Sequence, residues 1–198
     1  MNNQWEEYQK INEDNNKRPL AISLSQYLRS GMSILDIGCG AGTDSIYFLE
    51  NDCFVTAIDK VISSIEHRKL KLSKEVKEKL KIVKADFTNM KLPLSDMIYA
   101  SFSLPFCKPN KFNRFWSNIE QASNKGGVFA GTFFGIKDDW YQMQADITFH
   151  RRDEIEALFN SYTIVEIKER QYDGECVNKN GKVINKHWHV YEVIAIKK

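Results

Sequence analysis

The chain has 198 residues, with 28 Lys and Arg against 26 Asp and Glu, a net charge of +2 and 42% hydrophobic residues. A chain of this length buries roughly 70% of its unfolded surface, so residues 1–198 are expected to form one domain, and the near balance of charge gives no electrostatic pull toward nucleic acid or an anionic membrane. No apolar run approaches the roughly 18 residues of a membrane span and no signal peptide opens the chain, which predicts a soluble cytoplasmic protein.

In chain order, residues 5–16 are mostly polar and carry two aromatics, Trp5 and Tyr8, at i and i+3. They predict a short amphipathic helix, with residues 1–17 either a lid over a ligand or a segment docking its aromatic face on the core. Pro19 opens a helix in which Leu20, Leu24, Tyr27 and Leu28 recur at helical spacing until Ser30-Gly31 stops it. Residues 33–37 form a first strand that runs through Gly38-Cys39-Gly40-Ala41-Gly42 into a helix over residues 43–50. A second strand follows at residues 55–59, then a basic helix whose Ile62, Ile65, Leu72, Val76 and Leu80 share a stripe, then strands at 81–87 and 96–100. Asn110 is expected to cap a helix carrying Phe112, Phe115, Trp116 and Ile119; residues 125–127 form a turn, and 128–135 a fifth strand. A helix at 152–159 and an antiparallel pair at 163–168 and 189–196 complete the chain. Strand and helix alternate up to the fifth strand, the pattern of a parallel sheet covered on both faces.

The glycines at the first strand-to-helix junction let the backbone approach a ligand and adopt φ > 0, while the helix N-terminus presents N–H groups. A dinucleotide site would place its last glycine at position 43; the residue there is Thr43, which counts against a nicotinamide-dependent oxidoreductase. Asp36 stands two residues before the first glycine, and Asp59 ends the second strand 21 residues after Gly38, where a carboxylate can accept both ribose hydroxyls. Asp86-Phe87 closes the third strand and Ser101 follows the fourth. In this order the motifs resemble those of the class I S-adenosylmethionine (SAM)-dependent methyltransferases.

The resemblance implies a Rossmann-like, doubly wound α/β sheet of seven strands, mostly parallel with one antiparallel strand, and helices on both faces. It implies SAM as cofactor, with S-adenosylhomocysteine (SAH) as product, and cofactor contacts from Asp36, Gly38, Cys39, Gly40, Gly42, Asp59, Lys60, Asp86, Phe87 and Ser101. Within that set, Asp86-Phe87 would grip the adenine and Asp36 would orient the turn and the cofactor's amino group. Arg18 resembles an arginine that pairs with the cofactor carboxylate in relatives, and is otherwise a surface arginine.

The blocks 101–106, Trp140 and Met143 ahead of Thr148-Phe149-His150, and Lys186-His187-Trp188-His189-Val190 resemble a bacterial branch related to tellurite-resistance and thiol methyltransferases. They imply a small-molecule acceptor, a thiol or a chalcogen oxyanion. A module that only senses or binds the cofactor would carry the same cofactor motifs. A methyltransferase acting on DNA amino groups would show an Asn- or Asp-Pro-Pro-Tyr-like block where Ser101-Phe102-Ser103-Leu104 stands, so neither nucleic acid nor membrane is expected as partner, and the chain is expected to be a monomer or homodimer. His150, after the fifth strand and beside the expected acceptor pocket, is the favoured group for proton transfer. His187 and His189 share one face of a strand with Trp188 on the other, and each histidine can instead be a polar residue satisfied by backbone. Trp5, Tyr8, Phe102, Phe106, Phe134 and Trp140 wall an apolar pocket or belong to the core. The four cysteines, Cys39, Cys53, Cys107 and Cys176, form no Cys-x-x-Cys pair and have no histidine at ligand spacing, so no disulfide framework and no metal site are expected.

Overall fold

A computed structural model of the protein describes residues 18–143, 146–177 and 182–198; the expected lid, with Trp5 and Tyr8, lies outside the described residues. The elements are α1 (Pro19–Ser23, continued by a 3-10 turn at Leu24–Tyr27), β1 (Ser33–Ile37), α2 (Thr43–Glu50), β2 (Phe54–Asp59), α3 (Ser63–Leu70), α4 (Lys74–Glu78), β3 (Leu80–Lys84), β4 (Ser95–Ala100), α5 (Pro109–Ala122), β5 (Ser123–Gly135), β6 (Phe149–His150), α6 (Arg152–Leu158), β7 (Tyr162–Val177) and β8 (Val183–Lys197). They form one sheet in the order β3-β2-β1-β4-β5-β8-β7, and the two-residue β6 adds a short parallel pairing beside β5. Among the described strands only β8 runs antiparallel, to β5 on one side and β7 on the other.

The sheet separates two apolar layers, which is why its central strands read as apolar runs. On one face Leu35, Ile37, Ile98 and Phe129 pack on Phe112, Phe115, Trp116 and Ile119 of α5 and on Ile155 of α6. On the other, Ile34, Val55, Ala57, Met97 and Tyr99 pack on Leu20 and Leu24, on Phe48 and Leu49 of α2, and on Ile65 of α3. No helix among the described residues is long and apolar enough to cross a membrane.

The structure corrects the sequence reading at several places. The third strand ends at Lys84, short of the expected 87, because Asp86 caps a 3-10 turn at Phe87–Asn89. Lys108, not Asn110, is the N-cap residue of α5, because Pro109 takes the first helical position, where its fixed φ and missing N–H cost nothing. Residues 125–127 are absorbed into β5, with an irregular register between Ser95 and Met97 and with Gly126 at φ +73°. The basic helix divides into α3 and α4, where the Ser73 side chain accepts from the Val76 N–H and starts a new helix. Finally, β7 and β8 extend well beyond 163–168 and 189–196. Their pairing runs on to Val177↔Val183, whereas β5 last pairs with β8 at Phe134↔Val190, so the hairpin overhangs the end of β5.

Candidate functional site

Side chains at the carboxyl ends of β1, β2, β3 and β4 meet on one rim, as a parallel sheet with this strand order requires. After β1 the Gly38 and Cys39 N–H groups both donate to the Ile58 carbonyl, at 2.8 and 3.1 Å, which folds the turn back over β2. Gly38, Gly40 and Gly42 have φ of +72°, +54° and +80°. A Cβ on Gly38 would lie 2.4 Å from Ser103 Cβ, and one on Gly42 would lie 2.5 Å from Ile65 Cγ1, whereas at Gly40 nothing stands within 4 Å. Two glycines thus serve packing, and the middle one faces open space.

Asp59 clasps this turn: one carboxylate oxygen accepts from the Gly40 N–H at 2.9 Å and the other from the Val61 N–H at 3.0 Å. Burial raises its pKa, opposed by those N–H groups, and a carboxylate with roughly four acceptor positions retains capacity for further donors. Asp86 N-caps the 3-10 turn at Phe87–Asn89, accepting from the Thr88 N–H at 3.0 Å and the Thr88 hydroxyl at 2.6 Å, and Lys60 stands 3.2 Å from its other oxygen. Burial pushes the Asp86 pKa up, but the Thr88 and Lys60 contacts outweigh it and leave the group below the ordinary value. Phe87 is buried against Phe115, with ring centroids 5.2 Å apart.

Beneath the turn, Asp36 is buried and accepts from the Ser45 hydroxyl at 2.5 Å. Burial lifts its pKa to about 7, with Asp44 and Asp59 adding to the rise and Ser45 and Arg18 opposing it. Asp44, in the first turn of α2, accepts from the Arg18 N–H at 2.9 Å and from the Tyr99 hydroxyl at 2.8 Å. The Arg18 guanidinium reaches the same carboxylate at 3.8 Å and lies 4.8 Å over the Phe102 ring, so Arg18 stands on the rim beside β4. Cys39 sits in the turn with its thiol pKa pushed well up by burial and by Asp36 and Asp59. Ser101 is buried at the end of β4; Phe102 follows at φ +52°, a costly conformation for a bulky residue and of the kind found at functional sites. The buried Ser103 hydroxyl, beside Gly38, has no hydrogen-bond partner among the described residues.

Comparison with known proteins bears on this arrangement. The methyltransferase-domain family matches residues 34–127, from β1 into the start of β5. That match spans just under half of the chain, and the solved structures that resemble it share its fold. Its fold is similar to that of TehB from Haemophilus influenzae, at 18% identity with a TM-score of 0.74 over 96% of this chain and 66% of the other. It is similar to a 1,6-didemethyltoxoflavin-N1-methyltransferase from Burkholderia thailandensis, solved with 1,6-didemethyltoxoflavin and SAH, at 17% identity and a TM-score of 0.70 over 99% of this chain and 84% of that one. The N-methyltransferase NodS from Bradyrhizobium japonicum WM9, solved with SAH, aligns at 15% identity and a TM-score of 0.68 over 98% of each chain. Among curated proteins, none matches by sequence.

Further round the rim, the predicted histidines separate. His150 packs against Phe112 and Phe133, at centroid distances of 4.6 and 5.5 Å, on the α5 face of the sheet. Burial lowers its pKa to about 4, so its imidazole is neutral at neutral pH, and its Nδ1 has no partner among the described residues. The His189 ring lies over Gly135, where a Cβ would fall 2.1 Å from Nδ1. Nδ1 accepts from the Lys137 N–H at 3.0 Å, which leaves Nε2 to donate to Glu169 at 2.9 Å. His187 pairs with Asp173 at 2.8 Å on the more exposed part of the hairpin.

Sequence reasoning missed a buried ion pair. Lys186 of β8 meets Asp138 with only 2% and 0% of their side chains exposed, and its ammonium lies 3.8 Å from the ring centroids of both Trp140 and Trp188. Lys186 was legible only as part of the Lys-His-Trp-His block, and Asp138 carried no signal of its own. Among the described residues no group of three or more His, Cys, Asp or Glu side chains is placed to hold a metal ion.

Proposed function

We propose that the protein is a SAM-dependent methyltransferase acting on a small molecule, and that its acceptor is a soft nucleophile, a thiol or a chalcogen oxyanion. The observation that carries this reading is the Gly40–Asp59 clasp: a left-handed glycine facing open space, held by the carboxylate that ends the next strand. The buried Ser103 hydroxyl without a partner beside Gly38 adds a polar group suited to a ligand there. In this reading Asp59 accepts the ribose hydroxyls while its backbone bonds hold it in place, and Asp86 and Phe87 flank the adenine. Arg18 pairs with the cofactor carboxylate, and Asp36 supports the turn from below. Lys60, Cys39, Gly38, Gly42 and Ser101 complete the surround.

When bound, SAM supplies a methyl group on a leaving group that is already activated. The chain's own task is to align the acceptor and exclude water. Three buried titratable groups suit an acceptor that needs no strong base. His150 is neutral with a pKa of about 4, burial holds the Cys107 thiol at about 11, and Lys186 is bound to Asp138. A thiolate or a chalcogen oxyanion brings its own electron pair and needs no proton removed during attack.

The test is SAH release from purified protein and SAM across thiols, tellurite, selenite, phenols, amines and carboxylic acids. Turnover on the soft nucleophiles alone is expected. Turnover on amines or phenols alone would overturn the acceptor class, and silence across the panel with SAH binding intact would favour a cofactor sensor.

A further inference from the structure

The β5–β6 connection and the overhanging hairpin are joined through one lysine. The Lys186 ammonium is held between the Trp140 and Trp188 rings and lies 5.4 Å from the Phe134 ring centroid, with Asp138 as its counter-ion. The two Asp138 oxygens also accept from the Trp140 N–H at 3.0 Å and the His189 N–H at 3.2 Å, so the carboxylate ties the loop to both flanks of Trp188. Around this centre Asp139 N–H donates to the His187 carbonyl at 3.1 Å, and His187 N–H donates to the Asp139 carboxylate at 2.7 Å. Removing two charges from water is costly, and a well-packed apolar pair would fill the same volume at less cost. What the charged pair supplies is direction: an ammonium attracted to the faces of two indoles fixes their planes, as a methylene chain would not.

The plane that is fixed borders the cofactor rim. Trp188 lies 5.9 Å from Phe102, the strained residue after β4 that carries the Arg18 guanidinium on its ring. Trp188 also stacks with Tyr172, centroids 6.4 Å apart and planes within 19°, and Tyr172 is 42% exposed. A continuous aromatic surface therefore runs from the rim to solvent, with Trp188 in its middle.

We propose that Lys186 is a positioning residue for the methyl acceptor: bound to Asp138 and clamped by Trp140, it fixes the Trp188 indole as the wall against which the acceptor lies. The assignment rests on the methyltransferase reading and names the acceptor side of that site.

The experiment compares wild type with Lys186→Met, which keeps length and loses charge, and Lys186→Arg, which keeps charge and can stack on indole. Three quantities are read: amide hydrogen exchange at Trp140 and His189, SAH affinity by calorimetry, and KM and kcat for the acceptor the panel identifies. In Lys186→Met, exchange at the two amides is expected to rise about tenfold or more and acceptor KM about tenfold, while kcat and SAH affinity stay within about threefold. Lys186→Arg is expected to restore KM. Unchanged exchange in Lys186→Met would overturn the clamp, and a parallel loss of SAH affinity would make Lys186 a general stability residue. If Lys186→Met does not fold, Trp188→Leu removes the wall with the charge pair intact; a raised acceptor KM is expected, and a wild-type KM would overturn the proposal. Failure of wild type to bind SAH would instead refute the methyltransferase reading, and the exchange measurement would still decide the clamp.

Discussion

The packing of the glycine turn against the loop after β4 can be tested by a double-mutant cycle on Gly38 and Ser103. In Gly38→Ala the new Cβ would lie 2.4 Å from Ser103 Cβ and 3.2 Å from its Oγ, at a φ of +72°. The left-handed conformation costs an L residue about 1–2 kcal/mol, and overpacking adds about 1–3 kcal/mol, for a loss of about 2–5 kcal/mol. At roughly 2–4 °C per kcal/mol for a domain of this size, Tm should fall by about 4–20 °C. Ser103→Gly removes the colliding atoms and leaves the backbone penalty, so the double variant should recover the overpacking part alone, a coupling of about 1–3 kcal/mol. Urea denaturation of the four proteins gives the cycle directly. Additive losses, with coupling below about 0.5 kcal/mol, would refute the claim that Ser103 is what keeps position 38 a glycine.

Three further outcomes follow from the same rim. Asp59→Ala should weaken SAH binding by about 1.5–3 kcal/mol, as loss of hydrogen bonds to a charged group does, and should also lower Tm because the Gly40 and Val61 N–H groups lose their acceptor; unchanged calorimetric affinity would remove Asp59 from the site. Asp36 is a carboxyl whose folded pKa, about 7, lies above its ordinary 3.8, so its contribution is present below pH 3.8 and is lost as pH rises to about 7. The stability of wild type relative to Asp36→Asn should therefore fall between pH 4 and pH 8 in parallel denaturation curves, and a constant difference would contradict a buried, proton-binding Asp36. His150 is a base whose folded pKa is lowered to about 4 from 6.5, so its neutral burial favours folding above pH 6.5 and loses that advantage as pH falls toward 4. His150→Phe should flatten that acid limb, and an identical pH dependence in the variant would show that the imidazole is not buried neutral.

The parts of the fold legible in the sequence are those where one physical requirement dominates a short stretch. β1 reads as Ser-Ile-Leu-Asp-Ile because both faces of a central parallel strand are covered, and the glycines that follow are forced by φ > 0 and by the close approach of Ser103 and Ile65. Asp59 was legible for the same reason, at the tip of the neighbouring strand. The length of the β7–β8 hairpin was not, because Asp173-Gly174 has turn composition and is held extended by its partners His187 and Lys186 across the ladder. The Asp138–Lys186 pair was invisible for a related reason: its members lie 48 residues apart and meet only through the packing of the β5–β6 loop on β8. His150 was expected in the loop after the fifth strand; it stands instead on the two-residue β6 with its side chain on the aromatic α5 face, and a sequence does not reveal which way such a residue points.

The measurement that tests the central claim most directly is a calorimetric titration of the purified protein with SAH and, in parallel, with NAD. One-to-one binding of SAH, weakened in Asp59→Ala, with no binding of NAD, is the predicted result. Binding of NAD in place of SAH, or SAH affinity indifferent to Asp59, would contradict the assignment of the glycine turn as a SAM site.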